Sequence, residues 1–214
     1  MSDSYSKGIV VSRLRSLERI LTEWQNLNER PGSKWARHDH DAPWWYNERA
    51  SLSFFAGAIW HCSGGWVFEE FSTIKIGTVI RGRQQEHRGR CDIQFGIGNH
   101  IFVAEAKQCW PNIGDAHKAT QTIELSLQSA RQDCNQLTEF GYPRLAIVFA
   151  APKLLGSKQD NIENTLQQFV CELRKMRNTT FASTFPKNAR NLRPDNDYGD
   201  YIFPGIVLTM QKCV

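Results

Sequence analysis

A Gly-Asn dipeptide at 98–99 separates two stretches of alternating apolar and polar residues, 92–97 and 100–107. Such a dipeptide between alternating stretches is typical of a two-residue β-hairpin turn, and the turn fixes how the two strands pair. The register that follows places Asp92 directly opposite Glu105. A glycine bulge beside the turn is the alternative, and it would shift the register by one residue.

Side chains alternate between the two faces of a strand, so this register also predicts which residues share a face. The polar face carries Arg90, Asp92, Gln94, Val103, Glu105 and Lys107, and the predicted core face carries Cys91, Ile93, Phe95, Phe102, Ala104 and Ala106. Facing carboxylates repel each other, so removal of either acid is expected to preserve or raise the stability of the metal-free protein. A surface salt-bridge ladder with Arg90 and Lys107 is the alternative explanation of these charges.

Two facing carboxylates suit a hard divalent cation, because Mg²⁺ prefers oxygen ligands and typically takes one or two carboxylates from a protein. Lys107 lies two residues beyond Glu105 on the same face, so its ammonium lies roughly 6–7 Å further along the strand. A metal ion activates water and neutralises phosphate charge, while a lysine positions that water or stabilises the transition state. The pattern therefore indicates phosphodiester hydrolysis with Mg²⁺ or Mn²⁺.

Helical and strand patterns alternate along the rest of the chain. Apolar stripes predict helices at 9–28, 44–61, 115–139 and 161–176, and strands are predicted at 66–76, 144–151 and 201–210. The segment 28–43 is predicted to be a loop, and 81–90 a loop or an extended hairpin end. The run 144–151 is continuously apolar, as in a strand covered on both faces. This order predicts an α/β fold with a mixed central β-sheet flanked by helices.

The chain has 214 residues, of which 41% are apolar and 22% charged, and this excludes a disordered or fibrous protein. We predict an N-terminal helix and loop at 1–43 and a domain at 44–214, together forming one compact unit. The stripe of the first helix packs on the core or forms the seam of a homodimer. No apolar run approaches the ~20 residues of a membrane span. Scattered cysteines and a polar N-terminus favour a cytoplasmic protein.

The residues Arg90-Cys91-Asp92, followed after an apolar strand by Glu105-Ala106-Lys107, resemble the motif of the PD-(D/E)XK nuclease superfamily, the restriction-endonuclease-like proteins. In that family an Asp opens the second core strand and Glu-x-Lys lies on the third, within an αβββαβ core. The predicted element order from about residue 44 to 151 matches that core. Cys91 stands where the family motif has a proline.

The resemblance implies a metal-dependent nuclease, with DNA as the expected partner. Asp92 and Glu105 would hold the metal ion, and Lys107 would act on the attacking water. Glu48 matches the Glu that the preceding helix often supplies, although a carboxylate favoured by the helix dipole is the alternative. Gln108 is an accessory candidate or a structural residue. The alternative function is a catalytically inactive nuclease-like module that binds nucleic acid or supports assembly.

Basic residues near and far from this motif are candidate phosphate contacts, because such contacts bind nucleic acid without reading its sequence. The candidates are Arg83, Arg88, Arg90, Arg190 and Arg193. The last two belong to the basic stretch 174–193, which Phe181 and Phe185 interrupt, as in proteins that bind single strands. Solvated surface charges and buried aromatic residues are the alternatives.

Overall fold

A mixed sheet with helices on both faces forms the centre of the protein, which confirms the predicted α/β class. The computed structural model describes residues 7–10, 14–34, 42–80, 83–137, 141–190, 192–194 and 199–213, without the side chains of 31–34, 78–80 and 83–84. The strands are β1 (Lys7–Val10), β2 (Gly65–Ile80), β3 (Arg83–Ile97), β4 (His100–Cys109), β5 (Arg144–Ala150), β6 (Leu154–Leu155), β7 (Thr180–Thr184), β8 (Tyr201–Ile202) and β9 (Ile206–Lys212). The helices are α1 (Glu18–Lys34), α2 (Glu48–His61), α3 (Ala116–Asn135) and α4 (Ile162–Leu173).

Seven strands form the main sheet in the order β1-β7-β9-β5-β4-β3-β2, and β6 pairs with β8 in a small separate sheet. Only β4 and β5 run parallel among the paired strands that the structure describes. A parallel pair needs a crossover connection, and α3 supplies it between these two strands. None of the described helices is long and apolar enough to span a membrane.

The predicted hairpin register is confirmed from the pair Ile97–His100 at the turn to the pair Ile93–Ala104. Gly98 has a φ of +56°, a left-handed conformation that glycine adopts without steric cost. Beyond β4, strands β2 and β3 continue together as a two-stranded arm, residues 72–80 and 83–90. The extended hairpin end was therefore the correct alternative for this part of the chain.

The two faces of the sheet carry two separate cores. Helices α1 and α2 pack against one face, where Trp24, Phe55 and Phe95 are fully buried. Helices α3 and α4 pack against the other face. Strand β5 alternates between the two cores: Leu145, Ile147 and Phe149 enter the first, and Ala146, Val148 and Ala150 enter the second. This confirms the prediction that the apolar run is covered on both faces.

The N-terminal segment differs from its prediction in two ways. Residues 7–10 form strand β1 and pair with β7, whereas residues 9 and 10 were expected to begin a helix. Helix α1 continues to Lys34, so the first residues of the segment predicted to be a loop are helical. The apolar stripe of α1 is buried in the same core as α2, so it packs within this chain and does not offer a dimer seam.

Candidate active site

Strands β3 and β4 separate at Asp92, and this separation creates the candidate site. Their described pairing ends at Ile93–Ala104, so the predicted pair of Asp92 with Glu105 is not part of the ladder. Instead, Oδ2 of Asp92 accepts a hydrogen bond of 2.7 Å from the backbone N–H of Ala106. The side chain thus satisfies a backbone donor of β4 at the point where β3 leaves it to follow β2.

The separation also corrects the predicted face of Cys91. Cys91 is buried in the core beneath α3 and α4, on the opposite side of the sheet from Ile93 and Phe95. The physical reason is a backbone irregularity in β2, where Glu70 has a φ of +52°, so the alternation of faces changes at this point. Burial raises the pKa of the Cys91 thiol to about 12, which leaves it protonated and unreactive.

Glu105 is the most deeply buried acid of the site, with an exposed fraction of 2%. Its Oε1 lies 2.8 Å from Nζ of Lys75, which reaches it from the arm. Apart from this ammonium, Oε1 has no hydrogen-bond partner among the described residues. Burial raises the pKa of Glu105 to about 7, Lys75 opposes that shift, and the negative charge of Asp92 adds to it.

Lys107 forms an ion pair with Asp133 of α3, with 2.6 Å between Nζ and Oδ2. Partial burial lowers the pKa of Lys107, but the hydrogen bond and charge of Asp133 outweigh burial, so the pKa lies above its ordinary value. Lys107 is therefore a fixed ammonium at neutral pH. It can donate hydrogen bonds and stabilise negative charge, but it cannot accept a proton as a general base.

Glu48 is the first residue of α2, and the side chain of Asn47 caps the helix by accepting from the backbone N–H of Ala50 at 3.1 Å. Burial raises the pKa of Glu48, the charge of Asp92 raises it further, and Lys107 opposes the shift. These couplings place the three side chains in one electrostatic neighbourhood. Glu48, at the start of α2, therefore lies within electrostatic range of Asp92 and Lys107.

A further acid, Glu70, lies at the rim of the site. Its carboxylate lies 3.1 Å from Nη2 of Arg49 and 3.2 Å from Nη1 of Arg90. Arg90, a predicted phosphate contact, is thus tethered close to the acids, and two thirds of its side chain is exposed. Arg88 is exposed on the arm, and the side chain of Arg83 lies outside the described residues.

Gln108 uses both of its polar groups in structural contacts. Its Oε1 accepts a hydrogen bond of 2.9 Å from Oγ of Ser51, and its Nε2 donates to the carbonyl of Trp44 at 3.1 Å. These contacts join β4 to the start of α2 and to the segment before it. The geometry therefore favours the structural alternative for Gln108.

Two predicted phosphate contacts in the stretch 174–193 have protein partners instead. Arg190 is 4% exposed, pairs with Glu163 of α4, and donates from Nε to the carbonyl of Phe185 at 3.1 Å. This burial contradicts its predicted role in binding nucleic acid. Arg193 pairs with Asp200 on the surface. Phe181 and Phe185 are buried, which confirms the core alternative for both aromatic residues.

The donor chemistry of the site fits a hard divalent cation. Asp92, Glu105 and Glu48 offer carboxylate oxygens, and Oε1 of the buried Glu105 has no hydrogen bond among the described residues. In this conformation, no three His, Cys, Asp or Glu side chains within the described part of the chain surround one position. Mg²⁺ needs only one or two carboxylates because water completes its coordination, so the two findings are compatible.

Comparison with known proteins assigns this chain to no family. No protein-family model, curated protein or solved structure matches this chain.

The role of Asp92 in holding the backbone leads to a stability prediction. Asp92→Ala is expected to lower the free energy of unfolding of the metal-free protein by about 1–3 kcal/mol, because the buried N–H of Ala106 loses its acceptor. This reverses the expectation from charge repulsion alone. Asp92→Asn keeps an acceptor oxygen and should retain most of the stability. Urea denaturation of both variants in chelator tests this, and equal stability of Asp92→Ala and the parent protein would contradict it.

Proposed function

We propose that this protein is a metal-dependent nuclease that hydrolyses phosphodiester bonds, acting as a DNA endonuclease. The observation that carries the proposal is the gathering of acids and lysines where β3 and β4 separate. Asp92 and Glu105 come from the strands, Glu48 comes from α2, and Lys107 is held as an ammonium by Asp133. A set of oxygen donors beside a fixed positive charge is what phosphodiester hydrolysis requires.

Each side chain has a distinct part in the proposed reaction. Asp92 and Glu105 would hold Mg²⁺ or Mn²⁺ and Glu48 would complete the site, while the ion would supply activation of water and neutralisation of phosphate charge. Lys107 would donate hydrogen bonds to the attacking water or to a phosphate oxygen, stabilising the negative charge that develops. The exposed guanidinium of Arg90, and Arg88 on the arm, would contact the nucleic-acid backbone without reading its sequence.

A catalytically inactive nucleic-acid-binding module is the second candidate, and one observation favours it. Lys75 pairs with Glu105 and Lys107 pairs with Asp133, so each of these lysines and its carboxylate neutralise each other within the protein. A module without turnover would need such internal neutralisation permanently, whereas a nuclease would exchange part of it for a metal ion. The two candidates therefore differ in whether a divalent ion binds at all.

We also propose a cytoplasmic location. The structure describes all six cysteines, and each of them is free. Free thiols persist in reducing compartments, where disulfides are rare.

The test of function is incubation with plasmid, linear duplex and single-stranded DNA, and with RNA of the same sequence, in Mg²⁺ or Mn²⁺ and with chelator controls. The parent protein is expected to cut DNA only with metal, and Asp92→Asn should not cut. Glu172→Gln is the matched control, because this acid lies on α4 and pairs with Lys175. Metal-independent binding without cleavage of any substrate would favour the inactive module.

A further inference from the structure

We propose that the ammonium of Lys75 occupies the cation position on Glu105 and must be displaced before a divalent ion binds there. The inference rests on the proposed function and names a competitor built into that same site. The ammonium lies 2.8 Å from Oε1 of Glu105, and the two side chains are 14% and 3% exposed. A buried carboxylate is costly unless a positive charge accompanies it, and Lys75 supplies that charge in the metal-free protein.

The path of the Lys75 side chain depends on a glycine in the neighbouring strand. Its stem passes over Gly89, where an added Cβ would lie 2.9 Å from Cδ and 3.0 Å from Cγ of Lys75. Real Cβ atoms essentially never come within 3.0 Å of such an atom, so any other residue at this position would push the stem aside. Gly89 thus leaves the space through which the ammonium reaches Glu105.

The backbone around Lys75 is anchored independently of the ion pair. The N–H of Ile76 donates to the carbonyl of Gln136 at 2.7 Å, and Lys75 forms an isolated β-bridge with Leu137. The arm is therefore fixed to the residues that follow α3. Displacement of the ammonium requires rotation of a flexible lysine stem only, and the arm can stay in place.

The ammonium of Lys75 is the positive charge that accompanies Oε1 of Glu105 in the metal-free protein. Oε1 of Glu105 has no hydrogen bond among the described residues, although the ammonium is within ion-pair distance. A metal ion on Oε1 would take the place of the ammonium, so metal binding and the Lys75 contact are mutually exclusive at this oxygen.

The test measures divalent-ion binding without any substrate. Mn²⁺ is titrated into the full-length protein by calorimetry, with the thermal shift as a second readout. Lys75→Met is expected to bind Mn²⁺ about tenfold or more tightly, since the substitution removes a competing positive charge from Oε1 of Glu105. Gly89→Ala should also tighten binding, because it displaces the stem while keeping the charge. Lys118→Met, which removes a surface lysine paired with Asp115, is the matched control.

The outcomes separate this inference from the proposed function. Tighter Mn²⁺ binding by Lys75→Met and Gly89→Ala, with parent affinity in Lys118→Met, would support it. Equal or weaker binding by Lys75→Met, in a parent protein that does bind Mn²⁺, would refute the competitor role and leave the nuclease proposal standing. If no variant and no parent protein binds Mn²⁺, both proposals fail. Should Lys75→Met not fold, Gly89→Ala gives the same decision.

Discussion

Lys107→Met is expected to lower the rate of metal-dependent DNA cleavage by at least about 100-fold, the loss typical of removing one transition-state donor. The substitution removes the ammonium but none of the acids that would hold the metal ion. Its aliphatic chain keeps much of the packing of the lysine stem. Metal binding should therefore persist while turnover is lost, and single-turnover cleavage together with Mn²⁺-dependent melting measures the two effects separately.

Two further variants test whether the effect is specific to Lys107. Lys118→Met removes an exposed lysine from the first turn of α3 and should cut at the parent rate. Asp133→Asn leaves Lys107 in place but weakens the ion pair that holds it, so an intermediate rate is expected. If Lys107→Met cuts as fast as the parent protein, the hydrolytic role of this lysine is wrong, and a binding module with a nuclease-like hairpin becomes the better description.

The metal-free parent protein is expected to lose stability as the pH rises from about 5 to 8. The substitution Glu105→Gln should remove the part of this loss that Glu105 causes. The folded-state pKa of Glu105 is about 7, against an ordinary value of 4.5, mainly because the side chain is buried. Over this window the folded protein binds the proton more tightly than the unfolded chain, so stability falls as the pH rises. One pKa unit corresponds to about 1.4 kcal/mol, so the loss approaches about 3 kcal/mol.

Urea denaturation in chelator at several pH values measures this effect. The parent protein and the control Glu172→Gln should lose stability together as the pH rises, while Glu105→Gln should lose less. Glutamine has nearly the same shape, so the difference between the curves reports the charge rather than a cavity. Parallel curves for the parent protein and Glu105→Gln would show that Lys75 fully compensates the buried charge, which contradicts the raised pKa.

The elements that could be predicted from the sequence are those with a single strong pattern. The stripe of α3, the apolar run of β5 and the Gly-Asn turn each indicate one structure, and the structure has all three. Strand β7 was missed because Thr180, Ser183 and Thr184 interrupt its apolar pattern, although the whole strand is buried. Strand β1 was mistaken for helix because its apolar residues also fit helical spacing, and pairing with β7 decided its conformation.

In the candidate site, too, some residues could be predicted from a local sequence pattern, whereas others are brought there only by the folding of the chain. Asp92, Glu105 and Lys107 lie close together in the sequence, so their alternation and the family resemblance could predict them. Lys75 and Asp133 reach the site from the arm and from α3, and nothing in their local sequence distinguishes them from ordinary surface charges. The buried Arg190 was misinterpreted for the converse reason, since a basic stretch does not reveal which of its cations the fold encloses.

The hydrogen bond between Asp92 and the backbone of Ala106 gives the site its own spectroscopic reporter. Most amides in a sheet donate to a neutral carbonyl, but the Ala106 amide donates to an ionisable carboxylate. Its NMR resonance and its exchange with solvent should therefore respond to any ion or proton that changes the charge on Asp92. Amides of β4 that belong to the ladder with β5 provide the internal reference. A single backbone signal thus follows the occupancy of the opening between the strands.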